Sequence, residues 1–234
     1  MMEVGDNSLI LERKAMKLWP AMALLLLVWT GLLHAAGPTE ESGVISENTT
    51  WKLNNSPYII KGSVNVSSGA TLTIEAGVTV KFDGDYNLVI DGTLVAQGTA
   101  DELITFTSNQ TFKSAGNWGE IQFRDTSVDK DCLIEYAVIE YGKSGVNCNQ
   151  AAPTIQHCTI QQHSSYGIYA NTGNNGPIIQ YNTISNNNNR GVMANSCSNL
   201  VVTGNTNTNN NGGGLQINNG TAVITKNSIT GNSW

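Results

Sequence analysis

The sequence predicts an all-β fold, a parallel β-helix (solenoid) with about 22 residues per coil, and three observations carry that reading. Segments 132–139, 153–160, 177–184 and 222–229 superimpose, with 200–207 as a looser fifth copy. Their leading apolar column is Ile134, Ile155, Ile179, Val202 and Ile224, at successive spacings of 21, 24, 23 and 22 residues. Each spacing is one full coil, too irregular for a heptad repeat. Between these segments Gly-x-x-x-Asn recurs, starting at Gly145, Gly167, Gly191 and Gly214. Elsewhere the chain shows strand alternation and turn residues, with no helical period of useful length.

Residues 1–36 read as an export leader, because Arg13, Lys14 and Lys17 precede an apolar run over 21–33, and Ala35 and Ala36 suit cleavage. Met16 offers an alternative start. The uncharged stretch 18–36 also has the length of an uncleaved membrane anchor, so both readings stand. Residues 37–57, polar apart from such residues as Trp51, are assigned as an N-terminal linker or cap, since an open solenoid end is an unpaired sheet edge. Residues 58–131 alternate in short runs punctuated by Gly62, Gly69, Gly77, Gly92 and Gly98, and are read as the opening coils.

Residues 132–234 are the repeats proper. Within Gly-x-x-x-Asn, strand alternation turns Val146, Ile168, Val192 and Leu215 inward, together with Cys148, Ala170, Ala194 and Ile217. Gly and Asn are expected at the corners, where the backbone must turn left-handed. Asn182, Asn205 and Asn227 share one column and are predicted to form a structural ladder of stacked amides. The 21 asparagines among the 94 residues after Glu140 are therefore read as structural. The chain stops at Trp234, five residues after Ile229, whereas earlier coils reach their glycine seven residues after that column. The expectation is a fragment that breaks off inside a coil.

The chain is 40% apolar and 13% charged, which excludes a charged disordered polymer. Its net charge is -6, and removing residues 1–36 takes away three acids and three bases, so the remainder keeps the same charge. That argues against nucleic acid as a partner. No two of Cys132, Cys148, Cys158 and Cys197 fall in one column, so they are expected to be buried free thiols.

The motif Ile-x-x-Asn-x-Ile followed by Gly-Ile/Val, the stretch 69–82 (GATLTIEAGVTVKF), Gly92-Thr-Leu-Val-Ala96 and Trp118-Gly119 resemble the right-handed β-helix proteins of the pectate lyase-like superfamily, in particular their secreted or surface types. The resemblance spans about residues 58–234 and implies a right-handed single-stranded parallel β-helix. It is specific for fold and weak for function, because the scaffold hosts lyases, hydrolases, epimerases, adhesins and structural modules. Members that cleave acidic polysaccharides carry aspartates with arginine or lysine on the outside of one long sheet. Here the corresponding outward residues are Asn147, Tyr169, Met193 and Gln216, and all 18 carboxylates lie at or before Glu140. The repeats thus offer no base or acid pair for proton abstraction or glycoside hydrolysis, and no catalytic residue is assigned.

Three groups of side chains remain as candidates. Tyr136, His157 and Tyr181 share a column and, with Tyr169, are the candidate ligand-binding aromatics, set against a role in filling a bend. Asp125, Asp129 and Asp131, near Glu135 and Glu140, are the candidate calcium ligands, set against a solvated acidic loop; no other cofactor is implied. Trp118 is expected to pack. The sequence is accordingly read as an exported, secreted or cell-surface scaffold that contacts extracellular polysaccharide or envelope components. The alternatives are a protein-binding adhesin and the N-terminal part of a polysaccharide lyase, hydrolase or epimerase with its catalytic coils beyond residue 234.

Overall fold

A computed structural model describes residues 37–173 and 175–233. The expected leader, residues 1–36, lies outside the described residues. The described chain is a right-handed parallel β-solenoid of about 8 turns with about 23 residues per turn. Its 21 strands all join one continuous sheet, and every strand pairing is parallel.

One coil shows the design. Three short strands, Leu133–Glu135, Ala137–Glu140 and Val146–Asn149, make three faces. Each pairs with its counterpart one coil later: Thr154–Gln156, Thr159–Gln161 and Ile168–Asn171. The expected columns hold, with Ile134 opposite Ile155, then Ile179, Val202 and Ile224. Val146, Ile168, Val192 and Leu215 stack likewise. Because alternate residues of a strand face opposite sides, each coil adds the same inward side chains to a column core. The early coils fill it with aromatics: Trp118 is fully buried, as expected of a packing residue, and stacks on Phe82 at 4.0 Å.

The solenoid begins earlier than Tyr58. Thr39–Ile45 pairs in parallel with Tyr58–Val66, and Thr49–Trp51 with Thr71–Ile74. The stretch read as linker or cap is therefore itself a turn of the helix, with Trp51 buried and stacked on Tyr58. Its polarity hid this because, among the described residues, this coil has a neighbour on one side only, and Val44, Glu40 and Ser42 stay exposed.

Columns of left-handed residues make the corners, and two of them run through five coils. One holds Tyr136, His157, Tyr181, Gly204 and Lys226 at φ of 48°, 54°, 57°, 68° and 57°; the other holds Tyr141, Gln162, Asn186, Asn209 and Gly231. The expectation of Gly and Asn there holds only in part. A single left-handed residue costs roughly 1–2 kcal/mol, which the strands pinned on both sides outweigh, so Tyr and His are tolerated. The glycines of Gly-x-x-x-Asn have a different cause. A Cβ on Gly145 or Gly167 would lie 2.6 Å from the carbonyl oxygen of the next glycine in the column, so close approach between coils excludes a side chain there.

Candidate functional site

Two asparagine ladders hold the coils together axially. In the first, the Asn182 backbone N–H and Nδ2 both donate to Asn205 Oδ1, and the Asn205 pair donates to Asn227 Oδ1 in the same way. Each Nδ2 also reaches back to a carbonyl one coil earlier, at Ile155, Ile179 and Val202. This is the predicted ladder. A second one runs through Asn187, Asn210 and Asn232 with the same pattern of bonds.

Each ladder starts on a different residue in the same coil. His163 takes the Asn position of the second ladder: its N–H donates to Asn187 Oδ1, Nδ1 accepts from the Gly142 N–H at 3.0 Å, and Nε2 meets Ile139 O at 3.1 Å. A backbone N–H can only donate and a carbonyl only accept, so the ring is the neutral Nε2–H tautomer. Burial pushes its pKa down to about 4. Cys158 plays the same part in the first ladder, where its N–H donates to Asn182 Oδ1 and its thiol to Ile134 O. All four cysteines are free and buried, as expected. Burial raises the Cys132 thiol to about 11 and the Cys158 thiol to about 12.

Three of the four candidate aromatics come together at one corner. Tyr136 stacks on His157 with centroids 4.8 Å apart, and His157 on Tyr181 at 5.2 Å. Tyr181 lies flat over Gly204, where a Cβ would come within 2.6 Å of its ring. The inward faces of this stack are therefore spent on one another, and the rings present mainly edges to solvent, which favours the bend-filling role over sugar stacking. Beside them the outward residues of the adjoining strand form an amide chain: Gln97 and Gln156 donate to Glu135, and Gln180 to Gln156.

Tyr169 stands apart on the third face. It stacks with Tyr166 at 5.4 Å, and its hydroxyl accepts from Asn195 Nδ2. The register carries its column back through Asn147 and Gln122 to Val89, and forward to Met193 and Gln216. The flanking residues of the opening coils are charged. Glu120 accepts from Asn147 Nδ2 at 2.7 Å, and Arg124 lies 3.6 Å from Asp91, which also accepts from Asn65. The sequence reading missed Asp91, Glu120 and Arg124 because the repeat alignment began at residue 132; extending the register of one strand backward would have found them. The second face is neutral in the last four coils, with Thr159, Thr183, Thr206 and Ser228 in one outward column.

The acidic candidates separate. Asp125 and Asp129 line one cavity, whereas Asp131 is turned to Lys130 at 3.4 Å. Glu135 belongs to the amide chain and Glu140 accepts from Thr107 and Gln161. Among the described residues no three His, Cys, Asp or Glu side chains are grouped to hold a metal ion.

Residues 94–233 match the family described as right handed beta helix region. The chain belongs to this right-handed β-helix family. Residues 43–142 also match a pectate-lyase like beta helix domain, consistent with the first turn beginning before Tyr58. Among curated proteins it is similar to protein bark beetle of Drosophila melanogaster, 37% identical over 68 residues. That alignment covers 29% of this chain and 2% of the relative, so the chain spans a small part of the relative's length. No solved structure matches the chain.

Proposed function

We propose that this β-helix is an exported module of the cell surface or the extracellular medium, a rigid scaffold whose third outer face contacts polysaccharide. The observation that supports it is the pairing of Tyr166 and Tyr169 beside the neutral amides of Gln122, Asn147 and Asn195. Aromatic surface with a few fixed polar groups is the chemistry that takes the apolar faces and hydroxyls of sugars. The export leader expected over residues 1–36 supplies the location. Glycan-array binding tests the reading with Tyr169→Ala and Tyr166→Ala against the parent. Loss of binding in both supports it; a parent that binds no glycan, or variants that bind equally well, would discard it.

A second reading, part of a polysaccharide lyase, hydrolase or epimerase, is supported by Asp91, Glu120 and Arg124 on that same face. Release of unsaturated or reducing ends from acidic polysaccharide, abolished in Asp91→Asn or Glu120→Gln, would favour it. Binding without turnover favours the scaffold.

A further inference from the structure

We propose that the long loop between the second and third faces of one opening coil seats a neutral sugar unit against Phe112. The inference rests on the polysaccharide reading, though not on the Tyr166 and Tyr169 contact, and adds a second subsite to it.

The coils on either side turn this corner in five residues, at 83–87 and 141–145, and the next two turn it in six, at 162–167 and 186–191. Between Ile104–Ser108 and Ile121–Phe123 the chain uses twelve, 109–120. Loops carried on a rigid scaffold are where ligand contacts collect. This loop is pinned at both ends. Asn109 Nδ2 donates to Asp83 Oδ1 at 2.7 Å, the Gly116 and Asn117 N–H groups donate to Tyr141 O, and Asn117 Oδ1 accepts the Ser114 N–H at 2.7 Å. Lys113 ties the middle, with Nζ 2.9 Å from Thr107 Oγ1 and above the Tyr141 ring. Between these anchors Phe112 is 89% exposed, more than any other large apolar side chain of the described residues. An aromatic ring held out on a fixed backbone is preorganised for contact, because the loop's own bonds have already ordered it.

Phe112 borders a cavity of about 460 Å³ with Gln110, Thr111 and Asn117. Small-molecule sites occupy roughly 300–1,000 Å³, so the space suits a sugar unit rather than an ion. Its chemistry selects the ligand. Phe112 offers a flat apolar face, and Gln110 and Thr111 offer neutral polar groups at its border, which together match the apolar face and hydroxyls of a sugar ring. The Gln110 amide makes one bond of 3.4 Å, from Nε2 to Asp83 O, so its Oε1 is left to accept a hydroxyl. Asn117 is closed on Ser114 and shapes the wall. Among the described residues no cation lines the cavity: Lys113 is turned to Thr107 and lies 3.7 Å from Glu140, while Asp83 stands beside Gln110. An anionic sugar is disfavoured there and a neutral one is not. One ring among three polar side chains is too little apolar area for a protein or lipid surface. The loop also reaches toward the aromatic pair, since a Cβ on Gly116 would lie 3.0 Å from Ser164 Oγ, two residues before Tyr166. Both loops precede third-face strands, so the two contacts share one rim.

The test is calorimetric titration of neutral xylo-, manno- and gluco-oligosaccharides, and of oligogalacturonate, into the full chain and its Phe112→Ala, Phe112→Trp and Tyr169→Ala variants. Phe112 is outside the core, so Phe112→Ala should melt with the parent. A neutral oligosaccharide should bind more tightly than oligogalacturonate, and Phe112→Ala should weaken it about tenfold. Phe112→Trp should keep the affinity and add a fluorescence change on saturation. Neutral binding that survives Phe112→Ala but is lost in Tyr169→Ala would overturn this subsite and leave the third-face contact standing. The reverse pattern would support the subsite and discard the third-face contact. A parent that binds none of these sugars, or prefers oligogalacturonate, would overturn the proposal. So would Phe112-dependent attachment to phosphatidylcholine vesicles without a response to sugar.

Discussion

Replacing His163 by asparagine should leave the fold nearly as stable at neutral pH, with a small loss from the Trp118 contact, and remove much of an acid sensitivity built into the wild-type core. Nδ1 of the ring stands where the other coils put Oδ1, and Nε2–H stands where they put the Nδ2 that reaches a carbonyl one coil back. Asparagine restores both bonds with the residue that the next three coils use. Histidine brings a titration that asparagine lacks. Its folded pKa is lowered to about 4 from 6.5, because burial penalises the imidazolium. A depressed value means that the unfolded chain binds the proton first. The stabilising contribution is complete above about pH 6.5, falls as the pH drops toward 4, and changes no further below that. Between pH 7 and pH 4.5 the loss is about 2.5 kcal/mol. Urea unfolding at the two pH values measures it. Carboxylates titrate alike in both proteins, so the difference between wild type and His163→Asn isolates the ring. Equal losses in the two proteins would refute the assignment, and so would a variant that is several kcal/mol less stable at pH 7.

Three more outcomes follow from the ladders and the core. Asn205→Ala removes the donor to Ile179 O and to Asn227, and the acceptor of both Asn182 groups, at an expected cost of about 3–5 kcal/mol by chemical denaturation; Asn227→Ala, at a part-exposed rung, should cost clearly less. Asn207 occupies the core column between Ile184 and Ile229, fully buried with both amide atoms unpaired, so Asn207→Val should stabilise the fold by about 1–3 kcal/mol, seen as a raised melting temperature. Iodoacetamide should label none of the four cysteines in the native protein at pH 8 and all four after denaturation, since each is buried and free; labelling of fewer than four in denaturant without reductant would reveal a disulfide.

The repeats were legible wherever a side chain recurred in kind. The isoleucine column and the Asn182, Asn205 and Asn227 ladder both emerge from alignment, because stacking identical residues is what stabilises them. What stayed hidden is function carried by unlike residues. Cys158 and His163 do asparagine's work, yet only their atoms, not their names, say so. The first turn escaped because no residue of Thr39–Ile45 is fully buried, so the strand lacks the alternating apolar signature of an inner coil. The candidate sites were harder still. Asp91 and Glu120 reach the same face as Tyr169 only through pairings across several coils, and Asp129 and Thr172 line one cavity only because the chain has gone round twice between them.

The coil that contains Cys158 and His163 explains why two ladders can start at all. Upstream, the same two columns hold Ala137 and Gly142, residues with no polar side chain, and the neighbouring core is filled by Trp118, Phe82 and Phe106. An asparagine there would point an amide at aromatic rings. Downstream, both columns are asparagine, and each rung needs a partner on either side. Cys158 and His163 meet both demands: each offers its backbone N–H to the first asparagine oxygen and spends its side-chain donor on a carbonyl, while keeping a largely apolar or planar body against the wide aromatic coils. The imidazole packs edge-on to Trp118 at 6.4 Å, a contact that an amide makes poorly. His163→Asn therefore trades that contact for a proton-insensitive rung. If the variant proves somewhat less stable at pH 7 but nearly flat toward pH 4.5, the adaptor role of this coil and the titration of its ring are separated by one pair of curves.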